Sequence, residues 1–134
     1  MRKYFIVLCW LLSFPVMAEI KDIDNNTLQT LLKDKVTLID IRTPEEWKET
    51  GIIEGSHLLT FFDKNGRYNI DKWVKDLEQI VKKNQPVILI CRTGNRTLPV
   101  SDLLDKKVGY QTIYNVKKGI MDWIKAAKPI VKAP

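Results

Sequence analysis

The chain has 134 residues, of which 45% are hydrophobic and 28% charged, and it carries a formal net charge of +6. That is enough chain for one compact domain and too little for two, and the composition excludes an intrinsically disordered protein. The Lys-rich excess is spread along the chain with no basic run interleaved with aromatics, so a nucleic-acid surface is not indicated, whereas a weak general attraction for anions is.

Met1-Arg2-Lys3 is a short basic start, Tyr4 to Phe14 is nearly all apolar, and the small residues Val16 and Ala18 lie three and one positions ahead of a cut before Glu19. This is the layout of a secretory signal peptide. The apolar run falls short of the roughly 20 residues of a full membrane span. Residues 1–18 therefore read as a signal and 19–134 as the mature domain. The expectation is an exported, periplasmic protein with no stable membrane insertion after cleavage. Cleavage removes Arg2 and Lys3 and lowers the formal charge from +6 to +4. It also removes Cys9 and leaves Cys91 alone, so no intramolecular disulfide can form. A lone thiol in an oxidising compartment is a liability unless it is buried or used.

Glu19 to Ile23 alternates and predicts a short first strand. Asp24-Asn25-Asn26 supplies capping residues for a helix whose apolar stripe is Leu28, Leu31 and Leu32. Val36 to Ile41 is β-branched and apolar, the pattern of a strand buried on both faces. Thr43 then reads as an N-cap, Pro44 as the first helical residue and Glu46 as the partner that completes a capping box. Asp40 and Arg42 fall at the carboxyl end of that strand. Gly51 to Ser56 is a turn, His57 to Phe62 a strand, and Asp63 to Arg67 a loop with an Asn-Gly signal. Ile70, Trp73, Val74, Leu77, Ile80 and Val81 predict a helix over about 70–83.

Pro86 opens the strand Val87-Ile88-Leu89-Ile90, which ends on Cys91. The polar loop Arg92-Thr93-Gly94-Asn95-Arg96 follows, and a helix whose start Pro99 fixes near Arg96–Leu98. Gly109 ends that helix. Gln111 to Val116 is the last strand, Lys117-Lys118-Gly119 a turn, and Ile120, Trp123, Ile124 and Ala127 a final amphipathic helix, with Lys128 to Pro134 as a tail. Strands alternating with helices imply an α/β domain with a mostly parallel sheet, in which ligands sit beyond the carboxyl ends of the strands.

Cys91 is at such an end, with a helix N-terminus and two arginines around it, an arrangement for making and using a thiolate. Arg92 and Arg96 read as electrostatic partners for the sulfur anion and an anionic substrate. Gly94 lets backbone N–H groups turn inward as an anion nest. Asp40 and Arg42 read as a structural pair bracing a turn near the site. His57, the only histidine, reads as structural. Trp47, Trp73 and Trp123 read as core. No metal-ligand cluster, phosphate-binding glycine motif or dinucleotide fingerprint is present, so no metal and no cofactor is expected.

Three pieces together resemble a known family: Leu38 to Trp47, Cys91-Arg92-Thr93-Gly94-Asn95-Arg96, and Tyr114 to Gly119 with Trp123. In this order and spacing they resemble a single-domain rhodanese, of the rhodanese-like sulfurtransferase family, over about residues 19–130. The resemblance implies a rhodanese-like three-layer fold, a five-stranded parallel sheet flanked by helices on both faces. It implies that Cys91 is the sulfur-accepting nucleophile and that the loop Arg92, Thr93, Gly94, Asn95 and Arg96 binds the donor and cradles a persulfide. The donor class is thiosulfate or a similar small anion, and the acceptor a thiol, a protein thiol or a cyanide-like nucleophile. Cysteine-dependent protein phosphatases carry five residues between Cys and Arg. Here four separate Cys91 from Arg96, and Thr97 occupies the phosphatase position, so the loop resembles the sulfurtransferase form. The chain departs from the family in Gly51-Ile52-Ile53-Glu54-Gly55-Ser56, where Gly-His-Ile-Pro-Gly-Ala is common, and in Lys118, where a glycine is usual. A sulfur carrier or interaction module without turnover is the alternative reading. A self-contained disulfide cycle is disfavoured because no resolving cysteine is present.

Overall fold

The computed structural model describes Lys3, residues 9–12 and residues 19–134. Most of the expected signal segment, residues 1–18, thus lies outside the described residues. Among the described residues no helix is long and apolar enough to cross a membrane.

The strands are β1 (Glu19–Ile23), β2 (Thr37–Asp40), β3 (His57–Leu58), β4 (Val87–Ile90) and β5 (Thr112–Val116). They form one parallel sheet in the order β1-β5-β4-β2-β3. The α-helices are α1 (Asn25–Lys33), α2 (Pro44–Thr50), α3 (Ile70–Ile80), α4 (Thr97–Leu103) and α5 (Gly119–Lys125). All four residues of β4 are buried, as its unbroken apolar run requires. Val87, Leu89 and Cys91 face one core with Trp73 and Leu77 of α3 and Val100 of α4. Ile88 and Ile90 face the other with Leu28 of α1 and Ile120 and Trp123 of α5. Helices therefore cover both faces of the sheet.

The chain leaves β2 towards β3 and leaves β4 towards β5, so the order diverges between these two neighbours. Crevices beyond the carboxyl ends of strands form at such a point. Asp40 is in register with Ile90, and the Ile41 N–H donates to the Ile90 carbonyl at 3.0 Å. Asp40, Arg42 and Cys91 are thereby carried to one edge of the sheet.

Several elements end elsewhere than periodicity predicts. β3 stops at Leu58 because the chain turns inward. Phe61 is buried beneath Trp73, edge to face at 5.0 Å, and the Trp73 indole N–H donates to the Leu59 carbonyl at 3.0 Å. α3 stops at Ile80 because Val81 is extended, at φ −142° and ψ 131°, and its carbonyl accepts from the buried Tyr110 hydroxyl at 2.7 Å. A π-helical turn, Leu104–Val108, continues α4 before Gly109. The expected tail is pinned: Ile52 and Val131 exchange two backbone hydrogen bonds of 2.9 Å, and the Trp123 indole N–H donates to the Pro129 carbonyl at 2.8 Å. Trp73 and Trp123 are core residues, whereas Trp47 is only half-buried on α2, a helix with no buried residue.

Burial, and secondarily the Glu78 charge, push the Tyr110 hydroxyl up to about 12. Tyr110→Phe leaves the Val81 carbonyl without this donor and is expected to cost about 1–2 kcal/mol in urea unfolding.

Candidate active site

The site is built from the β4–α4 loop and what holds it. Cys91 is the residue after β4 and is 1% exposed. Its Sγ accepts from the Gly94 N–H at 3.2 Å, and the Thr97 hydroxyl lies 3.7 Å away. Thr97 Oγ1 also donates to the Gly94 carbonyl at 3.2 Å, which closes the loop on itself. The first two loop carbonyls are taken up by α5. The Cys91 carbonyl accepts from the Ile120 N–H at 2.9 Å and the Arg92 carbonyl from the Met121 N–H at 3.1 Å, both from the first turn of α5.

Two glycines make this approach possible. Gly94 has φ +94°, and a Cβ there would overlap the Lys117 carbonyl oxygen. Gly119 has φ +66°, and a Cβ there would overlap the Arg92 carbonyl and come within 2.6 Å of the Thr93 nitrogen. Both conformations favour glycine on backbone grounds as well. Lys118 has φ −106°, a conformation open to any residue, so the missing family glycine leaves the turn intact.

The arginines are not free charges. Both terminal nitrogens of Arg96 donate to the two oxygens of Glu46, each at 2.7 Å. Arg92 lies 4.0 Å from Glu46 and 3.7 Å from Glu49. Burial works to raise the Glu46 carboxyl, but the hydrogen bonds and charge of Arg96, with the Thr43 contacts, outweigh it and hold the group below its ordinary value. The hydrogen bonds Arg96 donates to Glu46 raise Arg96, against its burial, and the Glu46 and Cys91 charges add to the rise. Thr93 and Asn95 are exposed on the rim of the loop.

Glu46 is held from both ends of α2. Its backbone N–H donates to the Thr43 hydroxyl oxygen, and its side chain accepts from the Thr43 N–H, each at 3.4 Å, as the capping box predicts. At the other end the fully buried Arg42 donates to the Thr50 hydroxyl at 2.8 Å and the Gly51 carbonyl at 3.0 Å. Arg42 also forks onto Asp40, with Nε to Oδ1 at 3.0 Å and Nη2 to Oδ2 at 2.9 Å. This pair braces the turn. His57 is exposed on the edge strand β3, with β2 between it and β4. Among the described residues no group of three or more His, Cys, Asp and Glu side chains is placed to hold a metal ion.

Sequence reasoning brought Cys91, Arg92, Gly94, Arg96, Asp40 and Arg42 to the site but missed two residues. Glu46 was legible only as a helix cap, and Thr97 only as a residue that is not arginine. The signal for Glu46 was its place in the first turn after a strand, which the β2–β4 adjacency turns towards the Cys91 loop. For Thr97 it was a hydroxyl at the first helical position behind the cysteine.

Residues 24–126 match the model of the rhodanese-like domain. A sulfurtransferase of Allochromatium vinosum is 27% identical over 114 residues, covering 84% of this chain and 95% of its own. A rhodanese domain-containing protein of Drosophila melanogaster is 29% identical over 108 residues, covering 78% and 90%. Among solved structures, a rhodanese-related protein of Thermoplasma volcanium superposes with TM-score 0.64 at 24% identity, covering 84% of this chain and 99% of that one. The polysulfide-sulfur transferase homodimer of Wolinella succinogenes gives 0.65 at 24%, covering 85% and 80%.

Two outcomes test this geometry. Gly119→Ala is expected to cost more than about 1 kcal/mol in denaturant unfolding, through a strained φ and a clash with Arg92. Glu46, lowered in the folded state, stabilises the protein above the ordinary carboxylate value of 4.5, and this is lost as pH falls through the lowered folded value. The stability gap between wild type and Glu46→Gln, measured by denaturation across pH, is expected to shrink on that acid side. The cysteine loop, its α5 buttress and the match over residues 24–126 together identify the chain as a member of the rhodanese-like domain family.

Proposed function

We propose that the protein is a sulfurtransferase that works through a Cys91 persulfide. The observation that carries this reading is the Cys91 sulfur at the carboxyl end of β4, receiving the Gly94 N–H while the Cys91 and Arg92 carbonyls are bonded to the start of α5. That polarity suits a sulfur anion, because donors already aimed at the charge need no reorganisation as it moves.

In the first half-reaction the Cys91 thiolate attacks the outer sulfur of an anionic donor such as thiosulfate. A Cys91–sulfur bond forms, the donor's S–S bond breaks, and sulfite leaves with the bonding pair. In the second, a thiol, a protein thiol or a cyanide-like nucleophile takes the outer sulfur, and the thiolate returns to Cys91. Two such steps through a covalent intermediate give ping-pong kinetics. Gly94 donates to the sulfur, and Thr97 fixes the loop around it. Arg92, more exposed than Arg96, is the cation that meets the incoming donor. Export to a periplasmic compartment, supported by the basic start and apolar run of residues 1–18, is part of this proposal.

Intact-mass measurement after incubation with thiosulfate tests it. Wild type is expected to gain the mass of one sulfur, to lose it on adding cyanide, and to gain none as Cys91→Ser. No gain in wild type from either thiosulfate or benzenethiosulfonate, or a gain that survives in Cys91→Ser, overturns the reading.

A further inference from the structure

We infer that Glu46 determines which sulfur donors reach Cys91: its carboxylate occupies Arg96 and shares Arg92, so the site favours singly charged organic donors over doubly charged thiosulfate. The inference rests on the sulfur-transfer reading and narrows its substrate class.

The mouth of the loop holds two guanidinium groups. An incoming dianion would take both, but an internal anion is already there. Glu46 engages Arg96 with both oxygens at 2.7 Å, the fork-to-fork geometry that a carboxylate donor group would otherwise adopt. The same carboxylate is 4.0 Å from Arg92, whose other terminal nitrogen lies 3.7 Å from Glu49. Two positive groups therefore face two negative ones. Glu46 also has little room to withdraw, because Thr43 holds it at one end of α2 and Arg42 ties the other end through Thr50 and Gly51. Burial leaves Glu46 17% exposed, so solvent does little to screen it from a second anion. A donor with two charges meets this carboxylate as a like charge, and a donor with one meets it less strongly.

Thiosulfate and benzenethiosulfonate are suitable probes. In both, the Cys91 thiolate bonds to the outer sulfur and the bond to the oxidised sulfur breaks. Sulfite dianion leaves from the first and benzenesulfinate from the second, so charge and atoms balance and the same Cys91 persulfide results. The measurement is the second-order rate of persulfide formation by mass spectrometry. The ratio of the two donors is compared between wild type and variants, which cancels their intrinsic reactivities.

Glu46→Gln keeps the cap acceptor and removes the charge. It is expected to shift the donor ratio towards thiosulfate by about tenfold, the factor that about 1.4 kcal/mol represents. Asp76→Asn, an equal charge change on the exposed face of α3, is expected to leave the ratio unchanged. A readout that needs no variant is salt. Thiosulfate loading of wild type is expected to depend only weakly on salt between about 10 mM and about 150 mM, because Glu46 and Glu49 offset the two arginines that would attract it. An unchanged ratio in folded Glu46→Gln, or steep salt inhibition of thiosulfate loading in wild type, overturns the role of Glu46 and leaves sulfur transfer standing. Failure of both donors to load wild type overturns the sulfur-transfer reading and this inference with it.

Discussion

The site depends on one buried ion pair. Arg42 is among the largest fully buried side chains of the described residues, and Asp40 beside it is 1% exposed. Removing one partner of such a pair costs about 3–5 kcal/mol, because the other charge is left uncompensated in the interior. Here the guanidinium does more than neutralise Asp40. It reaches Thr50 and Gly51 and so fixes the far end of α2. α2 presents Glu46, Glu46 grips Arg96, and Arg96 closes the loop that surrounds Cys91. A charge at the end of β2 thus sets the position of a sulfur at the end of β4 without touching it. Arginine suits this position because its fork supplies several donors in fixed directions.

The local parts of this structure were legible in the sequence. Thr43, Pro44 and Glu46 announce the start of α2 within four residues, and the capping box forms. The run Val87 to Ile90 announces a strand covered on both faces, and Pro99 confines the start of α4 to the turn behind the cysteine. These features are decided by contacts a few residues apart. The Glu46–Arg96 pair spans 50 positions, and it exists only because β4 lies beside β2. The contacts of Ile120 and Met121 with the cysteine loop depend likewise on the placement of β5 against β4. Strand order is not written in the hydrophobic period of any one strand.

Element ends were the other gap, and packing decided them. Val81 continues the apolar stripe of α3 but is extended in the fold, with its carbonyl under Tyr110. Phe61 continues an apolar strand but turns into the core against Trp73. The Lys128–Pro134 segment carries no periodic signal, yet Val131 pairs with Ile52 through the backbone, for which side-chain patterning gives no cue. The family's usual histidine and proline after α2 are missing, and this strap lies over the segment where they would stand. It supports the same Gly51 whose carbonyl Arg42 uses.

The depth of the Cys91 sulfur bears on regiochemistry. A persulfide has two electrophilic sulfurs, and displacement at sulfur is in line, with the nucleophile opposite the leaving group. Attack on the outer sulfur needs an approach from the mouth of the loop. Attack on the inner sulfur needs an approach from behind it, where Val87, Leu89 and Val100 fill the core. In the proposed intermediate the first path delivers sulfur to the acceptor, and the second would release hydrosulfide and leave a mixed disulfide on the protein. Which sulfur is attacked depends on access. In the proposed reaction the packing behind β4 would therefore direct a thiol acceptor to the outer atom and protect the cysteine from being capped by it.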